Sequence, residues 1–185
     1  MEHTDRTIGS PRDAIGILEA TANRIIQGDA YVLEAIPSIT DETISAVADW
    51  YRTALDEDRL ALSHRIAGDV GSLLVAFSER MAVQAARARS VEPVRTGLLA
   101  IAMLPDKPTE TLDHRDWIPV LALHYNSSRL AGADPLPLFD EAASFAGPSV
   151  AGTMRAYART GEHSVEAMGY VEETTSSGLT YRRTW

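Results

Sequence analysis

Two histidines are the side chains of this sequence best suited to acid–base chemistry or ligand binding, because histidine titrates near neutral pH. His124 follows Trp117 by seven residues and precedes Ser128 by four, a spacing that places all three on one helical stripe. A face that changes in this way from apolar to polar is typical of a helix that lines a cleft. If the helix carrying His64 packs beside it, we expect the two histidines to converge. The alternative is a half-buried histidine that donates to a backbone carbonyl.

The large aromatic side chains near these positions also have two interpretations. Trp117 and Trp50 are typical of the core of a helical domain, but at the edge of a groove each would be a hot-spot residue for a protein partner. Tyr125 is adjacent to His124 in the sequence. The candidate binding residues are therefore His124, Tyr125, Trp117, His64, Ser128 and Trp50. We assign no catalytic residue, no metal ligand and no cofactor.

The segment Gly147–Thr153 is similar to two motifs that bind or attack phosphate and acyl groups. It nearly matches the nucleophile elbow G-x-S-x-G, but a helical pattern precedes it where the elbow needs a strand. It also nearly matches a phosphate-binding loop, but Gly152 stands where the phosphate-binding lysine is required. We therefore expect a turn between two helices.

Three further clusters of polar residues have weaker chemical interpretations. His114–Asp116 imitates the kinase catalytic tripeptide without the glycine-rich loop, lysine and asparagine that a kinase needs. Asp56–Asp58 lacks the alternating ligands and the glycine of a calcium loop. Glu162, His163 and Glu166 do not have the spacing of a zinc-protease motif. We expect a helix start, a turn between helices and no metal site, respectively.

Composition restricts the class of protein. The 185 residues include no cysteine, which excludes a disulfide scaffold, an iron–sulfur site and a cysteine nucleophile. The 26 Asp and Glu outnumber the 17 Lys and Arg and leave a net charge of −9. Because nucleic acids and anionic membranes attract basic surfaces, we expect neither as a partner. Residues 1–12 lack the apolar stretch of a secretory signal, so we expect a cytoplasmic protein.

Most of the elements that must position these residues have the sequence signals of helices. The sequence has 27 alanines, and capping residues with prolines or glycines recur at the expected ends of helices. We expect an all-α fold, with residues 1–9 as a tail and 10–169 as one domain of about seven to nine antiparallel helices. Residues 170–185 are rich in β-prone residues around a Thr-Ser-Ser-Gly turn, which predicts a small β-hairpin packed on the helices.

Individual elements follow from the same signals. Leu73–Arg89 has the pattern of a long amphipathic helix, and Leu98–Leu104 is apolar on nearly all sides, which predicts the centre of the core. The polar segment Pro105–Leu112 is predicted to be a loop. Asp134-Pro135 and Gly147-Pro148 are expected to start helices that end near residues 146 and 160.

Residues 113–160 have the sequence pattern of antiparallel helix pairs whose helices start at Asp-Pro and Gly-Pro. In this they resemble the helical-hairpin (HEAT-like) pieces of bacterial proteins. The resemblance covers about a quarter of the chain and implies a helical fold for that part. It assigns no functional residue.

The function favoured by the sequence is that of a helical protein-interaction module with an acidic surface: an adaptor, a regulator or an immunity-type protein. Its partner would be another protein, of basic character, because opposite charges accelerate association. A second interpretation is a small-ligand-binding protein or an enzyme with a pocket near His64 and His124. A third is a structural subunit that forms a larger assembly or a homo-oligomer.

Overall fold

The computed structural model describes residues 69–106 and 114–160 without interruption, most of the paired strands within 170–183, and ten separate residues between 16 and 58. These parts are predominantly helical, as the sequence predicts. The continuous helices are α1 (Asp69–Ala88), α2 (Glu92–Ala102), α3 (His114–Leu130), α4 (Pro135–Ala143) and α5 (Pro148–Thr160). None of the described helices is long and apolar enough to cross a membrane.

Helix α2 occupies the centre of the core. Every residue from Leu98 to Leu104 is buried, which confirms the prediction made from this apolar run. The helix lies against α1, α3 and α4, so it presents apolar side chains in several directions at once. Full burial of one leucine or isoleucine side chain contributes about 1.5–3 kcal/mol, so this run is a main source of stability.

Helix α1 differs from its prediction at both ends. It begins at Asp69 rather than Leu73, and Gly71 therefore lies inside the helix. It ends at Ala88, because Arg89 adopts a left-handed backbone conformation with φ 49°. The Ser90 N–H then donates to the carbonyl of Ala85 over 3.2 Å, as in the glycine-ended type of helix terminus. Arg89 therefore adopts a backbone conformation that is less strained for glycine than for arginine.

Helices α4 and α5 begin where the sequence predicts. Asp134 caps α4, since its side chain accepts a hydrogen bond from the N–H of Leu136 over 3.0 Å. Helix α4 ends at Ala143, three residues earlier than expected, and the Ser144 hydroxyl donates to the Glu141 carbonyl at this end. Helix α5 begins at Pro148 and ends at Thr160, in agreement with the prediction.

Helix α3 ends at Leu130, and Gly132 follows with a φ of 76°. Pro119 lies beyond the first turn, where it removes a hydrogen bond to the preceding turn. The helix continues through this position because both of its flanks are buried: Trp117 on one side, and Val120 and Leu121 on the other.

The N-terminal part of the chain also contributes to the core. Val47 and Tyr51 are buried, and their spacing of four residues places them on one helical face. The Tyr51 hydroxyl donates to the carbonyl of Ala102 over 3.3 Å, so it satisfies a carbonyl at the end of α2. Trp50 is half-buried and packs against the same core.

Two antiparallel strands follow the helices, β1 (Tyr170–Thr175) and β2 (Gly178–Arg183). Tyr170 is opposite Arg183, and Thr175 is opposite Gly178. Gly178 has a φ of 108°, a conformation that favours glycine at the turn. Strand β2 lies against α1, and a Cβ atom at Gly178 would lie 4.0 Å from the carbonyl oxygen of Arg87.

Several predictions concern residues outside the described part of the chain. These are the tail 1–9, His64, most of the loop 105–112, and the cluster of Glu162, His163 and Glu166.

The end of α1 yields a test of stability. We expect Arg89→Gly to raise the free energy of unfolding by about 0.5–1 kcal/mol, because glycine adopts positive φ without strain. Ala88→Gly, one residue earlier and inside the helix, is the matched control and should lower it by a similar amount. Urea denaturation measures both. A destabilised Arg89→Gly variant would contradict the left-handed conformation.

Candidate functional site

The candidate site is a buried polar contact at the point where α1, α2 and α3 meet. Ser78 of α1 and His124 of α3 are both without solvent exposure. Their Oγ and Nε2 atoms are 2.8 Å apart, and Ser78 Oγ is also 2.7 Å from the carbonyl oxygen of Gly97 in α2. A serine and a histidine at this separation are the two groups that a nucleophile–base pair would use.

A gap in α2 makes room for the imidazole ring. A Cβ atom on Gly97 would lie 2.3 Å from Cε1 and 2.7 Å from Nε2 of His124, and 3.0 Å from the Cβ of Met81. These distances are shorter than non-bonded contacts allow, so the ring and a larger residue cannot both occupy this space. The absence of a side chain at Gly97 is therefore what lets His124 enter the core.

The hydrogen atoms at this contact follow from the donor inventory. A serine hydroxyl has one hydrogen, and Ser78 donates it to the carbonyl of Gly97. Ser78 Oγ must then accept from His124, so Nε2 carries the imidazole proton. His124 Nδ1 is left as a buried acceptor without a hydrogen-bond partner among the described residues.

Burial decides the charge of His124. Loss of solvation lowers the pKa of His124 from 6.5 to about 3, and a hydrogen bond with the backbone of Ser78 opposes this effect only in part. The imidazole is therefore neutral at physiological pH. A cationic imidazole would also need an acceptor at Nδ1, which the described surroundings do not supply.

The arrangement does not match a catalytic serine. In a nucleophile–base pair the serine donates its proton toward the imidazole, whereas here it donates to Gly97 and receives from His124. A substrate also could not reach either group in this state, because both are fully enclosed. The contact instead ties three helices together through groups that would be costly to bury unpaired.

The interface of α1 with α3 contains further serines that hydrogen-bond to the backbone. Ser127 is buried and its hydroxyl donates to the carbonyl of Ala82 in α1 over 2.8 Å. Ser128 is also buried, and its hydroxyl donates to the carbonyl of His124 in its own helix over 2.7 Å. Small polar residues at this interface let the two helices approach while their hydroxyl groups stay satisfied.

The structure brings together only some of the residues that the sequence singled out. Trp117 is 3% exposed and belongs to the core, and Tyr125 packs with its ring edge-to-face on Phe139, at 6.5 Å between centroids. His124 and Ser128 lie inside the α1–α3 interface rather than along an open cleft. Trp50 is half-buried at the core margin, and His64 lies outside the described residues.

Sequence reasoning missed Ser78 and Gly97, which both lie against the imidazole ring of His124. The signal was present as a polar residue in an apolar stripe, since Phe77 and Met81 on the same helix are both buried. A glycine within the apolar run of α2 is a second signal, because glycine weakens a helix unless close packing requires it.

The Gly147 motif is a helix start, as expected from its failure to match catalytic patterns. Asp106 reaches the first turn of α5, where its Oδ1 accepts hydrogen bonds from the N–H groups of Ser149 and Val150 over 2.7 and 3.0 Å. A Cβ on Gly147 would lie 2.8 Å from that same oxygen. The position where a phosphate would bind is therefore taken by a carboxylate of the chain.

Two of the other polar clusters lie at least partly within the described residues. His114 opens α3, and Asp116 lies in its first turn, where the helix dipole favours a negative charge. Glu57 and Asp58 are exposed, whereas Asp56 is outside the described residues. No group of three potential metal ligands occurs in the part of the chain that the structure describes.

Comparison with known proteins adds no assignment. No protein-family model matches the sequence, and no curated protein or solved structure is significantly similar to it. Functional inference therefore depends on the site and the surface of this chain alone.

The close approach at Gly97 predicts a large effect of one methyl group. We expect Gly97→Ala to lower the free energy of unfolding by about 2 kcal/mol, because its Cβ overlaps the His124 ring. Gly152→Ala is the matched control, since nothing lies within 4 Å of a Cβ there. It should be stabilising by about 0.5–1 kcal/mol. Chemical denaturation that ranks the two variants equally would contradict the packing.

The neutral, buried histidine predicts a pH dependence. Because the pKa of His124 falls from 6.5 to about 3 on folding, the unfolded chain binds the extra proton below pH 6.5. The stability that His124 contributes is therefore complete above pH 6.5 and is lost as pH falls, by about 2 kcal/mol at pH 5. Denaturation of wild type and His124→Gln between pH 7.5 and 5 isolates this contribution, because the other groups titrate in both. Parallel curves would contradict the assignment.

Proposed function

We propose that this protein is a helical protein-interaction module with an acidic surface, of the adaptor, regulator or immunity type. The observation that carries the proposal is the enclosure of the Ser78–His124 pair. The arrangement that most resembles catalytic machinery among the described residues serves to join helices. A rigid helical body of this kind suits recognition through its surface.

The distribution of charge along the sequence supports this proposal and makes it more specific. Residues 69–106 and 114–160 contain eight acidic and eight basic residues, so this part is balanced. Residues 1–68 contain twelve acidic and six basic residues, which account for most of the net charge of −9. We therefore assign the acidic surface to the N-terminal part, with the exposed Glu57 and Asp58 as its described members. A basic protein partner would be steered toward it.

Two other functions remain alternatives. A small-ligand site or an enzyme near His64 and His124 would need an opening to His124, which has no exposed surface in this state. A structural role in a larger assembly or a homo-oligomer would need an apolar surface shared between copies. Among the described residues the large exposed hydrophobic side chains are Leu130 and Leu136.

The same proposal includes the number and arrangement of the helices. We propose seven to nine antiparallel helices, HEAT-like in residues 113–160, in a bacterial and cytoplasmic protein. A C-terminal hairpin packed on the helices is supported by the pairing of β1 with β2 and by the position of β2 beside α1.

Recovery of the natural partner at different salt concentrations tests the function. The tagged full-length protein is incubated with an extract of its source organism. We expect a basic protein to be recovered at about 50 mM NaCl and lost at about 0.5 M, because salt screens exposed charges.

Matched charge variants identify the surface. Glu57→Gln/Asp58→Asn should slow association with the recovered partner about threefold in biolayer interferometry, since rim charges act mainly on the association rate. Glu92→Gln/Glu141→Gln removes the same charge from exposed sites of the helical body and should have little effect. A partner that is retained at high salt, or that both variants bind equally, would count against the acidic surface.

A further inference from the structure

A half-open groove of about 430 Å³ lies between α4 and α5. Its apolar floor is formed by Phe139 and Ala158, which are both buried. Leu136 lines the same groove but is 46% exposed. Single exposed leucines are common on protein surfaces, but one at the margin of an apolar groove extends the area that a partner could cover.

The groove is lined by one acidic and two basic side chains. Asp140 and Arg155 form an ion pair with 2.9 Å between Oδ1 and Nε, so their charges compensate each other. Arg159, in the last turn of α5, is exposed and has no ion-pair partner among the described residues. The groove therefore carries one uncompensated positive charge beside an apolar floor, in a chain whose net charge is −9.

We propose that this groove binds an acidic peptide segment of another protein. An apolar side chain of that segment would cover Leu136 and the floor at Phe139. A neighbouring carboxylate would pair with the guanidinium of Arg159, which can hold a carboxylate through two parallel hydrogen bonds. A segment laid between two adjacent helices uses apolar anchors for affinity and the charge at the rim for selectivity.

The charge of the groove selects this occupant. A basic segment would place like charges beside Arg159, whereas an acidic one supplies the missing counter-charge. This interface differs in sign and in residues from the acidic surface of the proposed function, so the two can be tested separately.

Selection from a random peptide library tests the proposal without assuming a sequence. A phage-displayed library of dodecapeptides is selected on the immobilised full-length protein, and enriched peptides are synthesised with a fluorescein label. We expect them to contain Asp or Glu next to a large apolar residue. Fluorescence anisotropy then gives Kd for the wild type and each variant, at low and high salt.

Three variants relate binding to the groove. Arg159→Glu should weaken binding about tenfold or more, because it replaces an attraction with a repulsion. Leu136→Ser should weaken it several-fold through lost apolar contact. Arg129→Glu is the matched control, since Arg129 is an exposed arginine in the last turn of α3 and does not line the groove, and its Kd should equal that of wild type. Thermal melts check that all three variants fold.

The remaining outcomes overturn the proposal. These are the absence of any enriched peptide, enrichment of basic sequences, and binding that Arg159→Glu leaves unchanged. Sedimentation analysis showing self-association that Arg159→Glu abolishes would assign the groove to a second copy of this chain. Because Glu57→Gln/Asp58→Asn leaves the groove intact, a failure here is distinguishable from a failure of the acidic surface.

Discussion

Close packing around a buried histidine constrains the arrangement of the three helices α1, α2 and α3. The imidazole of His124 occupies space that a side chain at Gly97 would fill. Its Nε2–H group donates a hydrogen bond to the hydroxyl of Ser78. That hydroxyl in turn satisfies the Gly97 carbonyl. Each of the three helices supplies one part, so none can shift without leaving a polar group unpaired in the core. The buried apolar run of α2 begins directly after Gly97.

The proposed functions depend on the surfaces of this helical body. The helical body is balanced in charge, most of the surplus of acidic residues lies in the first 68 positions, and the groove between α4 and α5 has an uncompensated arginine. Under the two proposals, surfaces of opposite sign would let one small protein contact two different partners. Such a role needs a scaffold that keeps its shape, and the buried hydrogen bonds between the helices contribute to that.

Histidine 124 shows how far sequence reasoning reaches into the site. Spacing in the sequence predicted the helix that carries His124 and the apolar stripe on which it lies. Trp117, on the same stripe, belongs to the core, as most helical tryptophans do. The expected partner was another histidine, whereas the observed one is Ser78, which lies 46 positions away in the sequence. Periodicity identifies the face on which a residue lies, but it does not identify which residue of another helix it meets.

The sequence alone determined the helical class, the starts of α4 and α5, and the buried run Leu98–Leu104. These features depend on signals within a few residues, such as an Asp-Pro cap or an unbroken apolar stretch. Only the tertiary structure decided that Asp106 caps α5 from 43 positions away, that Gly97 admits the ring of His124, and that Arg159 borders a groove. The reason is physical: each of these contacts joins groups that are distant in the chain, and packing of the helices is what brings them within reach.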